Sequence, residues 1–299
     1  MNESSHAKAL LLLALALLSV FFVVAWVIAA RRAQARITDA VPGPVAVGIG
    51  ALTDFLDALG IGSYAPTTSL YKLTGVVSDE EIPGTMNIGH AVPTFVEAFI
   101  FIAAVDVEAT TLISMIAASV VGAWFGAGVV ASWPRRKIQI GMGVLLIVAA
   151  AIMIVRQRGL VPGGGAALGL GGVRLAIAIG GNLILGALMT LGIGLFAPCM
   201  ILVALLGMNP ASAFPIMMGS CAFLMPFGSL RFLSHGRYNL RAAVGLTLGG
   251  LPAVFIAVFI VKSLPLAWVE RLVVAVVIYT AIAMLRSATK GTKEVTKHA

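Results

Sequence analysis

The sequence is poor in charge and in cysteine. Asp, Glu, Lys and Arg make up only 11% of its 299 residues, whereas a soluble globular domain contains about 25%. Its two cysteines, Cys199 and Cys221, both lie in apolar segments, which excludes a disulfide framework and favours a packing role for them. The shortage of charge excludes an ordinary soluble domain and indicates a polytopic helical membrane protein.

The charge that is present is net basic, +8, but it does not form a nucleic-acid-binding surface. It occurs in short clusters between apolar runs, and such clusters stay in the cytoplasm in membrane proteins. The first apolar run, 9–30, ends at Arg31 and Arg32 without a clear cleavage site, so we expect a retained signal anchor. These clusters predict a multi-pass protein of the inner cell membrane, in contact with lipid, with its N-terminus outside and its C-terminus in the cytoplasm.

One phrase in the apolar region occurs twice. Residues 59–66, Leu-Gly-Ile-Gly-Ser-Tyr-Ala-Pro, return 132 positions later as Leu-Gly-Ile-Gly-Leu-Phe-Ala-Pro at 191–198. Nine of the eighteen positions that start at Leu59 and at Leu191 are identical. Each copy leads into a short apolar segment, 64–73 or 196–206, which would span only about 15 Å as a helix. A bilayer core is about 30 Å thick, so each short segment must turn back inside it.

The basic clusters then predict how the two halves are arranged. We expect an all-α polytopic membrane protein of two inverted repeats, each a broken-helix hairpin plus three transmembrane helices, with an extra N-terminal transmembrane anchor. The predicted divisions are the anchor and a basic loop at 1–40, repeat 1 at 41–158, a Gly-rich linker at 159–173, repeat 2 at 174–287, and a basic cytoplasmic tail at 288–299.

The broken hairpins predict a binding site for an anion. A helix that starts at Pro66 or Pro198 directs free backbone N–H groups and a positive dipole end into the protein. The expected substrate-binding residues lie on the two turns, on the first turns of the following helices and at two polar positions downstream: Gly60, Gly62, Ser63, Tyr64, Ala65, Pro66, Thr67, Thr68, Ser69, Gly192, Gly194, Phe196, Ala197, Pro198, Cys199, Asn87 and Ser220. The alternative is a pair of structural kinks whose hydroxyl groups bond to their own helices.

Ionisable residues in the apolar segments suggest proton coupling. His90 and Glu97 share a helix face with Asn87, while Asp54 and Asp57 are separated by three positions on the first hairpin helix. Ionised aspartates would repel an anion, so protonation can link proton binding to anion binding. We expect Asp57, His90 and Glu97 to handle the proton; the alternatives are a structural His90–Glu97 hydrogen bond and solvated aspartates near a cavity mouth. The spacing of these residues does not match a metal site, and no cofactor is expected.

The motifs resemble those of the TauE/SafE family of sulfite and organosulfonate exporters. The family pattern, Gly-x-Gly-Gly-Gly-x-x-x-x-Pro-x-Leu followed by a Gly-Thr-Ser-like step, is similar to 59–70 with Gly84-Thr85, and to 191–202 with Gly219-Ser220. Tyr64 and Phe196 stand where the family has its third glycine. The resemblance implies transport of sulfur-containing anions.

We therefore expect a secondary transporter, an exporter of small sulfur-containing anions such as sulfite or organosulfonates, with proton coupling and no enzymatic activity. Two alternatives remain at this stage. One is an uncoupled anion channel or a permease for another small organic acid. The other is an intramembrane enzyme that pairs Cys199 or Cys221 with His90. The sequence leaves homo-oligomer formation open.

Overall fold

The computed structural model describes residues 3–32, 40–130, 135–157, 165–189, 195–263 and 265–295. Within these ranges the chain forms eleven α-helices and one short 3₁₀ helix, and it contains no β-strand. The prediction of an all-α protein is confirmed.

The helices follow one another in the order that the apolar segments predict. Their bounds are α1 Glu3–Arg32, α2 Pro44–Ala58, α3 Tyr64–Thr74, α4 Ile82–Ala104, α5 Ala109–Val130, α6 Arg135–Gln157, α7 Gly172–Met189, α8 Phe196–Leu205, the 3₁₀ helix Pro210–Ser212, α9 Ala213–His235, α10 Leu240–Ser263 and α11 Leu266–Val295.

Five stretches are long and apolar enough to cross a membrane. They are His6–Arg32, Ile82–Ala104, Gly172–Met189, Pro210–His235 and Leu240–Ile260. Polar backbone groups must be paired inside the bilayer core, and a helix pairs them within itself. These helices support the prediction of a multi-pass membrane protein.

The short helices α2 and α3 are separated by a glycine turn. Gly60 and Gly62 have φ values of 86° and 92°, which L-residues with a side chain rarely adopt. Helix α3 ends at Gly75, which has the left-handed conformation common at helix C-termini. The glycines therefore fix where both short helices end.

The helices form two compact units, and each unit takes helices from both predicted repeats. The first unit contains Met1–Ala109 and Met218–Ser263, and the second contains Thr110–Met217 and Leu264–Ala299. The repeat boundaries proposed from the sequence describe a duplication rather than these units, and they stay a prediction.

In the first unit, α10 packs closely on α2 and α4 through glycines. A Cβ atom on Gly249 would strike the carbonyl oxygen of Val47, and one on Gly245 would lie 2.6 Å from the Cβ of Ala46. On α4, a Cβ on Gly89 would lie 2.8 Å from the side chain of Leu246. Small residues let membrane helices approach to backbone contact, so α2 and α4 are both held tightly on α10.

The second unit also has helices that pack closely through glycines. A Cβ atom on Gly122 of α5 would strike the carbonyl oxygen of Leu183 on α7, and one on Gly186 of α7 would strike that of Ser119. Nearby, the Asn182 side chain donates a 2.6 Å hydrogen bond to the carbonyl oxygen of Met115. Helices α5 and α7 are thus in backbone contact.

Candidate functional site

The candidate site of the first unit lies at the turn between α2 and α3. Asp57, in the last turn of α2, is 4% exposed. Its Oδ1 accepts a 2.5 Å hydrogen bond from the backbone N–H of Ser63, the residue just before α3. The Ser63 side chain makes no capping bond. The N-terminus of α3 therefore carries a buried carboxyl group that belongs to the preceding helix.

A chain of three buried side chains runs from α3 to α2 through His90 of α4. The Nε2 atom of His90 lies 3.0 Å from the hydroxyl oxygen of Thr67, and its Nδ1 atom lies 2.7 Å from Oδ1 of Asp54. All three side chains have no exposed surface. A carboxylate accepts hydrogen bonds only, so with Asp54 ionised Nδ1–H is the donor to it. The Nε2 atom then accepts from Thr67 when the ring is neutral and donates to it when the ring is charged.

Glycine on α10 makes room for Asp54. A Cβ atom on Gly250 would strike Oδ2 of Asp54 and would lie 2.8 Å from Cγ of Pro93. This second oxygen of Asp54 is buried and has no hydrogen-bond partner among the described residues. The position of Asp54 thus depends on residue 250 being a glycine, which has no side chain to occupy this space.

Glu97 is the second buried carboxyl beside Asp57. It has no exposed surface, and neither of its oxygens accepts a hydrogen bond from a donor in the part of the chain that the structure describes. Its carboxyl group interacts electrostatically with that of Asp57. Two carboxyl groups can form a hydrogen bond only when one of them carries a proton. The pair can therefore hold a proton inside the protein.

The other predicted hydroxyl groups on α3 bond to their own helix. The hydroxyl of Thr68 donates to the carbonyl oxygen of Tyr64 at 2.8 Å, and that of Ser69 donates to the carbonyl oxygen of Ala65 at 3.0 Å. This is the alternative considered above, in which hydroxyl groups bond to nearby backbone. Of the three hydroxyl groups predicted to bind an anion, only that of Thr67 joins the buried polar network.

The two downstream residues predicted to bind substrate belong to the same unit. Asn87 of α4 is half-buried, and its side-chain amide donates a 3.4 Å hydrogen bond to the backbone carbonyl oxygen of Pro83. The backbone carbonyl oxygen of Asn87 accepts a hydrogen bond from the Ser229 hydroxyl. Ser220 of α9 is fully buried. The ring of Tyr64 lies 6.1 Å from that of His90, so Tyr64 borders the network.

The second copy of the phrase is described in part. Gly192 and Gly194 lie outside the described residues. The following residues, Phe196 to Cys199, are buried at the start of α8 in the second unit, and the backbone N–H of Cys199 donates to the carbonyl oxygen of Leu195. The meeting of the two turns at one site stays a prediction.

The polar network belongs to one half of the duplication. The offset of 132 positions that aligns the two phrases also pairs each member of the network with a residue in the second half. The counterparts of Asp54, Asp57, Thr67, His90 and Glu97 are Gly186, Met189, Cys199, Ala222 and Ser229. No ionisable side chain other than the Cys199 thiol stands at these positions.

The sequence did not predict two features of this site. Spacing predicts that protonation of Asp54 and Asp57 links proton binding to anion binding, but it does not predict that Asp54 is the direct partner of His90. The space at Gly250 could not be inferred, because its neighbour Asp54 is far away in sequence. In the described ranges, no three His, Cys, Asp or Glu side chains are grouped as a metal site requires.

Comparisons of the chain with protein-family models, with curated proteins and with solved structures gave no match. The resemblance to the TauE/SafE family thus depends on the motifs alone and stays a prediction.

Proposed function

We propose that the protein is a proton-coupled secondary transporter that exports small sulfur-containing anions such as sulfite or organosulfonates. One observation carries the proposal: a buried chain links Thr67, in the first turns of α3, through His90 to the carboxyl of Asp54. Ionisable groups at membrane depth are costly and generally serve a solute or proton pathway.

The helix order supports an inverted-repeat arrangement. The short pair α2 and α3 precedes three helices, α4 to α6, and the pair α7 and α8, of which α7 is itself long enough to cross a membrane, precedes α9 to α11. In this proposal each set of three helices crosses the membrane, and because three is an odd number, the second set starts from the opposite side. In this proposal the N-terminus is outside, the C-terminus is in the cytoplasm of an inner-membrane protein, and both turns approach the midplane.

The charges around α3 support proton coupling. The free N–H groups and the dipole of the helix N-terminus attract an anion, whereas Asp54, Asp57 and Glu97 repel it when they are ionised. His90 is the basic group within the network. An anion therefore binds there together with protons. The sulfur-containing class of substrate comes from the motif resemblance, so matched carboxylates are the comparison substrates.

The geometry bears on the enzyme alternative. Thr67, His90 and Asp54 are connected in the order of nucleophile, base and acid of a hydrolytic triad, but Thr67 is fully buried and a bond to be cleaved would not reach it in this state. Both ring nitrogens of His90 already have partners, which leaves neither for Cys199 or Cys221. Recovery of the substrate chemically intact after transport separates a transporter from an enzyme.

Flux into proteoliposomes tests the proposal. Purified protein should move sulfite or isethionate when a proton gradient is imposed, and a protonophore should abolish the gradient-driven part. His90→Gln should lose this part, whereas His235→Gln is the matched control because His235 is exposed and bonded to a carbonyl oxygen of its own helix. A flux that does not depend on the proton gradient would favour a channel. The absence of flux of both sulfite and isethionate would refute the proposal.

A further inference from the structure

The N-terminus of α3 already holds an acidic side chain in the structure. The first backbone N–H groups of a helix have no partner within it and favour a negative charge. In α3, Oδ1 of Asp57 accepts the N–H of Ser63 at 2.5 Å. In the proposed transporter, this is the position where the substrate anion would bind. The chain's own carboxylate and the substrate therefore need the same donor.

The turn that carries Asp57 to Ser63 has space and unusual freedom. Gly60 and Gly62, both with positive φ, lie between the two residues. A side chain built on Gly62 would meet no atom within 4 Å. Glycine in such a turn permits backbone changes that other residues resist. The backbone at Gly62 therefore has room to move, and such a movement would separate Asp57 from the N–H of Ser63.

Glu97 offers Asp57 a second partner. Its two oxygens are buried and accept no hydrogen bond from a donor among the described residues, and its carboxyl interacts electrostatically with that of Asp57. A proton shared between the two carboxyls would hold them together. Asp57 therefore has two alternative states: an anion bonded to Ser63, or a neutral carboxyl that hydrogen-bonds to Glu97 and releases the Ser63 N–H.

We propose that Asp57 is a tethered competitor of the substrate anion for the N-terminus of α3, and that proton binding withdraws it. The inference rests on the proposed function. In the exchange, a proton from the aqueous phase adds to the Asp57 carboxylate, and the Ser63 N–H passes from Oδ1 of Asp57 to an oxygen of the substrate. One negative charge is neutralised for each one that binds, so one proton accompanies each anion.

Other titratable groups face Asp57 and belong to the same network. They are Asp54 on its own helix, His90 and Glu97 on α4, and Tyr64 on α3, with Cys221 of α9 facing Tyr64. Helix α10 presents Gly250 to this region, beside Asp54. Asp57 accepts a backbone N–H at the start of α3, whereas His90 is bonded to a side-chain hydroxyl there, which is why we assign the competition to Asp57.

Binding of isethionate at two pH values tests the inference, because this sulfonate keeps its charge between about pH 5 and pH 8. The affinity of the purified full-length protein should rise about tenfold for each unit of falling pH, as expected when one proton is linked to binding. Asp57→Asn keeps an oxygen that accepts the Ser63 N–H but removes the charge. The affinity of this variant for isethionate should therefore vary less than about twofold between the two pH values. Asp79→Asn is the matched control, since Asp79 is an exposed aspartate, and it should behave like the wild type.

A second measurement does not depend on any variant. Calorimetry in buffers of different ionisation enthalpy should show about one proton taken up by the wild type for each isethionate bound. Binding without proton uptake, or unchanged pH dependence in Asp57→Asn, would overturn the inference and leave the transporter proposal standing. If the wild type also moved neither sulfite nor isethionate in the flux assay, the proposed function itself would be refuted.

Discussion

Replacing Gly250 by alanine should disable the buried network without altering any of its members. The new Cβ atom would overlap Oδ2 of Asp54 and lie 2.8 Å from Cγ of Pro93. Neither neighbour can move freely, because Asp54 is bonded to His90 through its other oxygen and the ring of Pro93 is part of α4. We expect Asp54 to be pushed away from His90.

The size of the effect follows from the contacts. Adding a methyl group to a filled interior costs about 1–3 kcal/mol, and each kcal/mol lowers the melting temperature by about 2–4 °C in a chain of this order of size. The melting temperature should thus fall by about 2–12 °C. The lost hydrogen bond to a charged group is worth about 1.5–3 kcal/mol, so proton-coupled sulfonate flux should fall by about ten- to a hundredfold.

Two further variants make this prediction specific. Gly48→Ala is the matched control, because a Cβ on this α2 glycine would meet no atom within 4 Å and alanine favours a helix. The positions 132 residues away from Asp54 and Gly250 are occupied by Gly186, in the second half, and Ala118, in the first half. Asp54→Gly should therefore remove most of the destabilisation caused by Gly250→Ala, as measured by a double-mutant cycle.

Two results would refute the reasoning about Gly250. One is a Gly250→Ala protein that melts within about 1 °C of the wild type, since that excludes a filled interior at this point. The other is a loss of stability from Gly250→Ala that is the same in the wild-type background and in the Asp54→Gly background, which would show that the alanine clashes elsewhere. Thermal melting in detergent, read by intrinsic tryptophan fluorescence, measures both.

Two predictions concern the hydroxyl groups of α3 and the topology. Thr67→Val should reduce proton-coupled flux by about tenfold or more because it removes the hydroxyl bonded to His90. Thr67→Ser keeps a hydroxyl and should retain the flux. Thr68→Val should change the flux by less than about threefold, because the Thr68 hydroxyl bonds to its own helix. An equal loss in both valine variants would contradict the assignment. Single cysteines at Asp79 and Ser234 should react with an impermeant reagent from the cytoplasm, and one at Gly164 from outside; outside labelling at Asp79 would contradict the inverted repeats.

The positions of the helices could be predicted because their ends depend on local signals. The apolar segments 45–59 and 64–73 correspond to helices Pro44–Ala58 and Tyr64–Thr74. Proline at a helix start and glycines with positive φ at a turn act within a few residues of where they stand. Hydrophobic length then identifies the longer spans.

The partners of the buried polar groups could not be predicted in the same way. Helical spacing placed His90 and Glu97 on one face of α4, but His90 bonds to Asp54 and Thr67, which are 36 and 23 positions away in sequence. These partners depend on how closely α2 approaches α4, and the glycines of α10 set that distance. Periodicity gives the face of a helix and not the residue opposite it.

The hydroxyl groups of α3 show another limit of the sequence. Thr67, Thr68 and Ser69 are adjacent, and each could bond to its own helix or to a neighbour. Thr67 faces the ring of His90, whereas Ser69 is exposed and Thr68 also lies 3.3 Å from the sulfur of Met86. Which hydroxyl enters the network depends on the rotation of α3 about its axis, and three consecutive polar residues do not determine that rotation.

The difference between the two halves is the strongest argument that the network serves a function. Inserting one ionisable residue at the centre of a membrane helix costs about 2.5–3.5 kcal/mol, so Asp54, Asp57, His90 and Glu97 together would cost about 10–14 kcal/mol before they pair. The whole stability of a protein is about 5–15 kcal/mol. The second half forms the same order of helices with glycine, methionine, alanine and serine at the equivalent positions. A helix arrangement that forms without these four groups does not need them to fold, and the proposed binding of protons and solute would account for their cost.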